Sequence, residues 1–216
     1  MKILKNANAF TGLEAAIVLI AFVVVAAVFS YVVLGAGFFT TQKSQEVVHT
    51  GVEQASSSME IIGVVFGYGN GGTGTAAGLK YVVFTVGNTA GGAPIDMEKM
   101  IITYISEDEK AIHTFNKDKS IDLTSFTPIA PESAEITKPT ADADGKWVIL
   151  NILNDNEKKN YLLEPGEQFI LAIPLGINDP GVNRKFSLTL QPAVGAVFSI
   201  HKTVPPFIDK VNILNK

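Results

Sequence analysis

The sequence predicts an α+β fold in which a long, hydrophobic N-terminal α-helix is followed by an antiparallel β-sandwich head. Two observations predict it. Residues 15–39 form an almost unbroken apolar run, and no charged residue follows Glu14 until Lys43. Most of the remaining chain consists of short alternating segments separated by Gly, Pro, Asn and Asp, which is the pattern of antiparallel strands.

The composition narrows the classes of function. The chain has 216 residues, which suffices for one helix and one domain of ordinary size. Its net charge is -4 and no basic cluster is interleaved with aromatic residues, so we expect no nucleic-acid partner. It contains no cysteine, which excludes disulfides, thiolate chemistry and cysteine-based zinc sites.

The apolar run is long enough to cross a membrane, because about 18 such residues span a bilayer as a helix. Lys2 and Lys5 precede it without an acidic residue, and such lysines stay on the cytoplasmic side. We therefore expect the helix to enter the membrane from inside and to deliver the residues after about 40 to the outside. An ordinary secretory signal has a shorter apolar core of roughly 7–15 residues.

The start of the helix is predicted at Thr11. Thr11 and Glu14 have the spacing of a capping box, with Thr11 as N-cap and Glu14 at the third helical position. A carboxylate there also interacts favourably with the positive end of the helix dipole. Helix capping is therefore one sufficient explanation of Glu14.

The helix is predicted to continue beyond the apolar run, over residues 10–62 in total. Apolar residues recur there at spacings of 4, 3, 4 and 3 and form an amphipathic stripe, which we expect to pack on the head or on an adjacent helix. The stripe comprises Val48, Val52, Ala55, Met59 and Ile62. A helix from Thr11 to Ile62 reaches roughly 75 Å, against about 30 Å of bilayer core, and Gly35 and Gly37 mark a bend between its halves.

The head is predicted over residues 79–216, after a glycine-rich connection at 63–78. Seven strands are expected, at 79–86, 99–105, 111–115, 147–152, 168–173, 185–190 and 197–203. Residues 124–144 are poor in apolar side chains, which predicts a long exposed loop.

No pattern in the sequence predicts catalysis, a cofactor or a metal site. His49, His113 and His201 are far apart and have no metal-ligand spacing. Asp142 and Asp144 resemble the start of a calcium loop, but the later ligands are missing, so a turn is favoured. No serine has the context of a catalytic nucleophile. We therefore expect that the protein is not an enzyme.

Glu14 also has a functional interpretation. A carboxylate inside hydrocarbon costs about 2.5–3.5 kcal/mol on insertion scales, and such residues usually serve a function. If the chain were cut before Phe10, a new α-amino group would lie four residues from Glu14. That amine can pair with Glu14 of an adjacent copy, which would remove two buried charges and fix the offset between subunits.

The N-terminal segment resembles that of the archaellins, the archaeal flagellins within the type IV pilin-like superfamily. The resemblance rests on FTGLE at residues 10–14 and the apolar helix that follows, with weaker matches at 163–169, 191–196 and 204–207. It implies a class III leader at residues 1–9, cleaved between Ala9 and Phe10 by a prepilin-type peptidase. Phe10 and Glu14 are then the assembly residues, and the head is an immunoglobulin-like β-domain.

The resemblance further implies a helical filament outside the cell, with the helices in its core, turned by a motor for swimming. We expect six helix residues to pack in that core: Leu13, Ile17, Ile20, Val24, Val28 and Tyr31. The implied partners are further copies or sister archaellins, the leader peptidase and the membrane proteins of the motor and its platform. Before assembly the subunit would lie in the cell membrane, with the leader in the cytoplasm.

Two alternatives remain open at this stage. An adhesive pilin of the same superfamily would share the physics of the subunit and differ in its machinery. A membrane-anchored extracellular binding protein would never polymerise, and it would tolerate the loss of Glu14.

Overall fold

The computed structural model describes residues 7–69, 78–121, 123, 129–131, 145–155, 160–176, 178 and 180–214. The chain divides into two compact units, Met1–Gly51 and Val52–Lys216. The predicted turn at Asp142 and Asp144 lies outside the described residues.

The N-terminal helix, α1, runs over Ala7–Ser56 and contains 50 residues. It passes through Gly35 and Gly37 as one helix. The hydroxyl groups of Thr40 and Thr41 donate hydrogen bonds of 2.8 and 2.9 Å to the carbonyl oxygens of Ala36 and Gly37, one turn earlier. These bonds satisfy the two hydroxyl groups where the apolar run of the helix ends.

Both predicted ends of the helix are wrong. The helix begins at Ala7, so Thr11 lies inside it and cannot be its N-cap in the full-length chain. It ends at Ser56, before Met59 and Ile62, which belong to a strand. Ser56 and the two serines that follow favour a helix end because serine competes for backbone hydrogen bonds. The β-branched residues beyond them favour a strand.

The described part of the head contains eleven strands. They are β1 Met59–Gly69, β2 Leu79–Asn88, β3 Ile95–Asp96, β4 Ile101–Ser106, β5 Lys110–Phe115, β6 Lys146–Leu153, β7 Leu162–Leu163, β8 Gln168–Pro174, β9 Lys185–Gln191, β10 Phe198–Thr203 and β11 Val211–Ile213. All seven predicted strands are confirmed, within two residues at each end. β1 occupies much of the segment predicted as a connection, while residues 70–77 lie outside the described part.

Nine strands form one sheet in the order β10-β9-β4-β5-β6-β8-β2-β1-β11, and β3 pairs with β7. All of these pairings are antiparallel except β5 with β6, which is parallel and joins only two residue pairs. This short contact divides the sheet into two parts. One buried cluster takes side chains from both parts, for example Ile102 and Leu188 from one and Phe84 and Leu171 from the other.

Trp147, the only tryptophan of the chain, lies at the centre of this core and is fully buried. Its indole nitrogen donates a 3.3 Å hydrogen bond to the carbonyl oxygen of Met100. Phe115 lies between the rings of Trp147 and Tyr161, with ring centroids 4.8 and 5.1 Å away. These contacts fix β5 and β6 where they run parallel.

A second buried cluster lies on the opposite face of β2, β6 and β8 and contains Val83, Val148, Leu150 and Ala172. The short described segment 129–131 covers it. The Ile129 amide donates a 2.9 Å hydrogen bond to the Leu150 carbonyl. The Tyr81 hydroxyl donates one of 3.0 Å to the Pro131 carbonyl. This part of the predicted exposed loop therefore packs on the sheet, because Ile129 supplies an apolar contact with the cluster.

Candidate assembly surface

The helix exposes its apolar side chains along almost its whole length. Every described side chain of residues 12–50 is exposed. The six residues predicted to pack in a filament core are between 55% and 80% exposed: Leu13, Ile17, Ile20, Val24, Val28 and Tyr31. An apolar surface of this extent marks an interaction site, because soluble monomers rarely leave one uncovered.

The helix is also long and apolar enough to cross a membrane, by length and composition, over Gly12–Val52. At 1.5 Å per residue its 50 residues extend about 75 Å, whereas a bilayer core is about 30 Å thick. A bilayer can therefore cover only part of the helix.

Glu14 lies at the N-terminal end of this surface and is exposed. It is the only charged residue between Lys5 and Lys43. The next charges form an ion pair, in which Lys43 Nζ lies 2.6 Å from a carboxylate oxygen of Glu46. Ala9 and Phe10 are helical in the full-length chain. Phe10 lies about one helical turn before Glu14 along the chain.

The helix surface contains a shallow groove of about 480 Å³ that begins at Phe29. Its lining combines large and small residues: Phe29, Ser30, Val33, Leu34, Gly37, Phe38 and Thr41. Small residues allow helix backbones to approach closely, and packing of this kind is what associates helices where lipid is equally apolar. The groove therefore suits a neighbouring helix better than a small ligand.

Two residues of the predicted amphipathic stripe, Val48 and Val52, are 64% and 61% exposed in the subunit, and the packing of this stripe remains a prediction. Its last two residues, Met59 and Ile62, lie in β1. Val48 and Val52 therefore extend the exposed apolar surface.

The described residues contain no group of three or more His, Asp or Glu side chains that could hold a metal ion. His49 lies in α1, His113 in β5 and His201 in β10. His113 is fully buried, and this burial lowers its pKa to about 4. A neutral imidazole inside the core is consistent with a packing role.

Two loops hold the chain where it leaves the helix. The Ala196 amide donates a 2.8 Å hydrogen bond to the Ser57 carbonyl. The Ser58 carbonyl accepts two hydrogen bonds from Thr89, one from its amide at 3.0 Å and one from its hydroxyl at 3.1 Å. Sequence reasoning missed this junction because its contacts are made by backbone groups and do not depend on a pattern of side chains. Gly195 is the residue in the sequence that could have indicated it.

An exposed apolar helix with one acid in its apolar stretch, joined to a β-sheet head, fits the class of filament subunits expected from the sequence. The sequence profile of the archaeal-type flagellin family matches residues 9–202. A protein named probable flagellin 1 of Archaeoglobus fulgidus is 40% identical over 222 residues, which covers 100% of this chain and 99% of the relative. The chain therefore belongs to the archaeal-type flagellin family.

Solved structures agree with this assignment. The archaeal flagellum of Methanospirillum hungatei strain JF1 superposes with a TM-score of 0.64 at 33% identity, covering 94% of this chain and 99% of that one. The flagellin FlaB1 of Methanocaldococcus jannaschii gives a TM-score of 0.52 at 19% identity and covers 73% of this chain and 96% of that one, which supports the fold. The resemblance to archaellins is confirmed, and the chain is a structural subunit of the extracellular filament that serves motility.

Proposed function

We propose that the subunit is made as a membrane precursor with residues 1–9 in the cytoplasm and is cut between Ala9 and Phe10. The new α-amino group of Phe10 then pairs with Glu14 of a neighbouring copy. A prepilin-type peptidase makes the cut, and the membrane proteins of the motor and its platform receive the mature subunit. Its role is structural and not catalytic.

The observation that supports this proposal best is the isolation of Glu14. It is the only charged residue between Lys5 and Lys43, and it lies on a helix whose described side chains are exposed and mostly apolar. Apolar side chains alone do not favour a helix bundle over lipid, because lipid tails are equally apolar. A carboxylate without a partner does favour it, since pairing removes the cost of leaving the charge in hydrocarbon.

The distance along the chain supports the same pairing. Cleavage before Phe10 leaves the α-amino group one helical turn from Glu14. Adjacent copies that are offset along the helix axis by about one turn can place the amine of one beside the carboxylate of the next. The six exposed residues from Leu13 to Tyr31 then pack between helices in the filament core.

The other interpretation of Glu14, helix stabilisation, makes a different prediction. Cleavage would place Glu14 near the new N-terminus, where a carboxylate stabilises the helix dipole by about 0.3–1 kcal/mol. In that case its loss would reduce the helix content of the subunit slightly and leave assembly intact. Family membership gives no support to a binding protein that never polymerises. An adhesive pilin would form a filament that does not rotate, so rotation of the filament distinguishes a swimming function from adhesion.

The experiment combines N-terminal sequencing of filament protein with substitution of Glu14. When the wild-type chain is expressed in a flagellin-deficient archaeal strain, the subunits in its filaments should have Phe10 as their N-terminal residue. Glu14→Gln keeps the size of the side chain and removes its charge, so filaments should be lost while the precursor still accumulates. Glu46→Gln is the matched control, since Glu46 also lies on α1 and is exposed. Normal filaments from Glu14→Gln, or a mature start elsewhere, would contradict the proposal.

A further inference from the structure

The larger part of the sheet comprises β6, β8, β2, β1 and β11, and its outer face is the one opposite the first buried cluster. A face exposed to water usually carries polar side chains, whereas this face carries apolar ones. On β2, β6 and β8 these side chains form the second buried cluster, which segment 129–131 covers. On β1 and β11 the same face carries four residues that are between 37% and 58% exposed. We name them the β1–β11 strip: Val64, Phe66, Val211 and Ile213.

Three residues of the strip lie side by side, and Val64 precedes Phe66 by two residues on β1. Phe66 and Ile213 are direct partners in the antiparallel pairing of β1 with β11, and Val211 is two residues from Ile213 on the same face. Val65 and Asn212, which alternate with them, are buried and point to the other side of the sheet. Tyr68 continues the face and stacks on Tyr81 at a centroid distance of 4.8 Å, which joins the strip to the covered cluster.

We propose that the β1–β11 strip is covered by the head of a second copy of this chain in the assembled filament. This inference rests on the proposed function, because only a polymer surrounds each head with other copies. The strip is continuous along the chain with the assembly helix. The exposed Val52 lies four residues before the end of α1, and β1 begins three residues after the helix ends.

The symmetry of a filament favours this partner. A helical polymer is built from heterologous contacts, in which one surface of a subunit meets a different surface of the next. Such contacts repeat along the whole filament, so a modest apolar strip on each copy contributes many times over. The Leu214 amide donates a 2.9 Å hydrogen bond to the Val65 carbonyl, which ties the end of β11 to β1. The exposed side chains of the strip are apolar, which suits contact with another folded surface.

The natural absence of cysteine provides a clean test. Ile213→Cys places a single thiol in the strip, and Ile112→Cys places one on β5, where the native side chain is 60% exposed against 58% for Ile213. Each variant is labelled with a maleimide, once as intact filaments and once as detergent-dissociated subunits. We expect at least a tenfold slower reaction at position 213 in filaments than in subunits, and a smaller difference at position 112.

Two labelling results would overturn the inference. A thiol at position 213 that reacts equally fast in filaments and subunits shows that no neighbour covers the strip. A thiol that is already slow in dissociated subunits shows that the chain covers its own strip. Val211→Cys provides a second probe of the same surface if Ile213→Cys does not assemble.

A charge placed in the strip gives an independent measurement. Ile213→Asp should lower the temperature at which filaments dissociate, whereas Ile112→Asp should leave that temperature nearly unchanged. Equal effects of the two substitutions would contradict a contact at the strip. The experiments also distinguish failure of the proposed cleavage from failure of the proposed contact at the strip. A mature start away from Phe10 contradicts the proposed cleavage, while a fast-reacting thiol at position 213 in intact filaments contradicts only the strip.

Discussion

Gly195 lies directly against Ser57, the first residue after the long helix. Its φ angle is +122°, and a Cβ atom at this position would lie 2.6 Å from the Ser57 carbonyl oxygen. The same oxygen accepts the hydrogen bond from the Ala196 amide. The close approach of the two backbones therefore requires glycine at position 195, and it holds the chain where helix becomes sheet.

Gly195→Ala should consequently destabilise the head more than Gly91→Ala does. Gly91 also has a positive φ, of +80°, but a Cβ atom there would meet nothing within 4 Å. Gly91→Ala therefore measures the backbone cost alone, about 1–2 kcal/mol. At position 195 the Ser57 carbonyl must move as well. Urea unfolding of the full-length subunit in detergent, followed by the fluorescence of Trp147, measures both, and equal costs would argue against a tight junction.

Burial of His113 should make the head less stable in mild acid. Burial lowers the pKa of its imidazole from 6.5 to about 4, although the Gly145 backbone and Glu109 act in the opposite direction. Between pH 6.5 and 4 the unfolded chain binds a proton that the folded chain excludes, so stability falls as the pH falls. The loss is on the order of 3 kcal/mol and is complete below about pH 4, whereas above pH 6.5 this histidine adds no pH dependence.

The matched variants for this prediction are His113→Leu and His201→Leu. His113→Leu removes the titrating group from the core, so its unfolding free energy should change less between pH 6.5 and 4 than that of the wild type. His201 is exposed on β10 and serves as the control. Urea titrations at several pH values give the slope, and an unchanged slope in His113→Leu would exclude His113 as its source.

Two isoleucines on the paired strands β4 and β5 allow a core position to be compared with a surface position. Ile102 on β4 is fully buried, whereas Ile112 on β5 is 60% exposed. Ile102→Ala should cost about 2–5 kcal/mol because it leaves a cavity in the shared core. Ile112→Ala should stay within about 0.5 kcal/mol, as surface substitutions usually do. Thermal unfolding monitored by circular dichroism distinguishes them, and similar costs would contradict the position of the core.

Asn212 should be required for the attachment of β11. Its amide nitrogen donates to the carbonyl oxygens of Asp209 at 2.7 Å and Gly67 at 3.2 Å, and its side-chain oxygen accepts from the Asp209 amide at 2.8 Å. Asn212→Ala leaves these groups without partners, at a cost of about 1–3 kcal/mol for each one that stays buried. Hydrogen exchange at the Leu214 amide should accelerate in this variant. Ile213→Thr, an exposed change on the same strand, should leave that exchange slow.

Much of the head was predictable because period-two alternation and turn residues are local signals. All seven predicted strands exist, and they include the buried residues Phe84, Ile102 and Leu171. β1 was missed for a physical reason. The spacing of Val48, Val52, Ala55, Met59 and Ile62 fits a helix, but pairing of Ile61 and Ile62 with Val86 and Thr85 of β2 is a distant interaction that the local pattern does not contain.

The candidate assembly surface was predictable in composition but not in geometry. The isolation of Glu14 and the run of apolar residues after it are visible in the sequence. The beginning of the helix at Ala7 is not visible in the sequence. A capping box at Thr11 predicts a later start, but the residues before Thr11 continue the helix. The strip on β1 and β11 depends on which strands pair, and a sequence alone does not reveal that.

The parallel pairing of β5 with β6 sets a lower limit on the chain between them. Antiparallel neighbours can be joined by two residues, but parallel neighbours need a return path of a dozen residues or more, since the chain must travel back to the end where it started. Residues 116–145 provide that return. Trimming this segment below about twelve residues should therefore separate Trp147 from Phe115 and open the core.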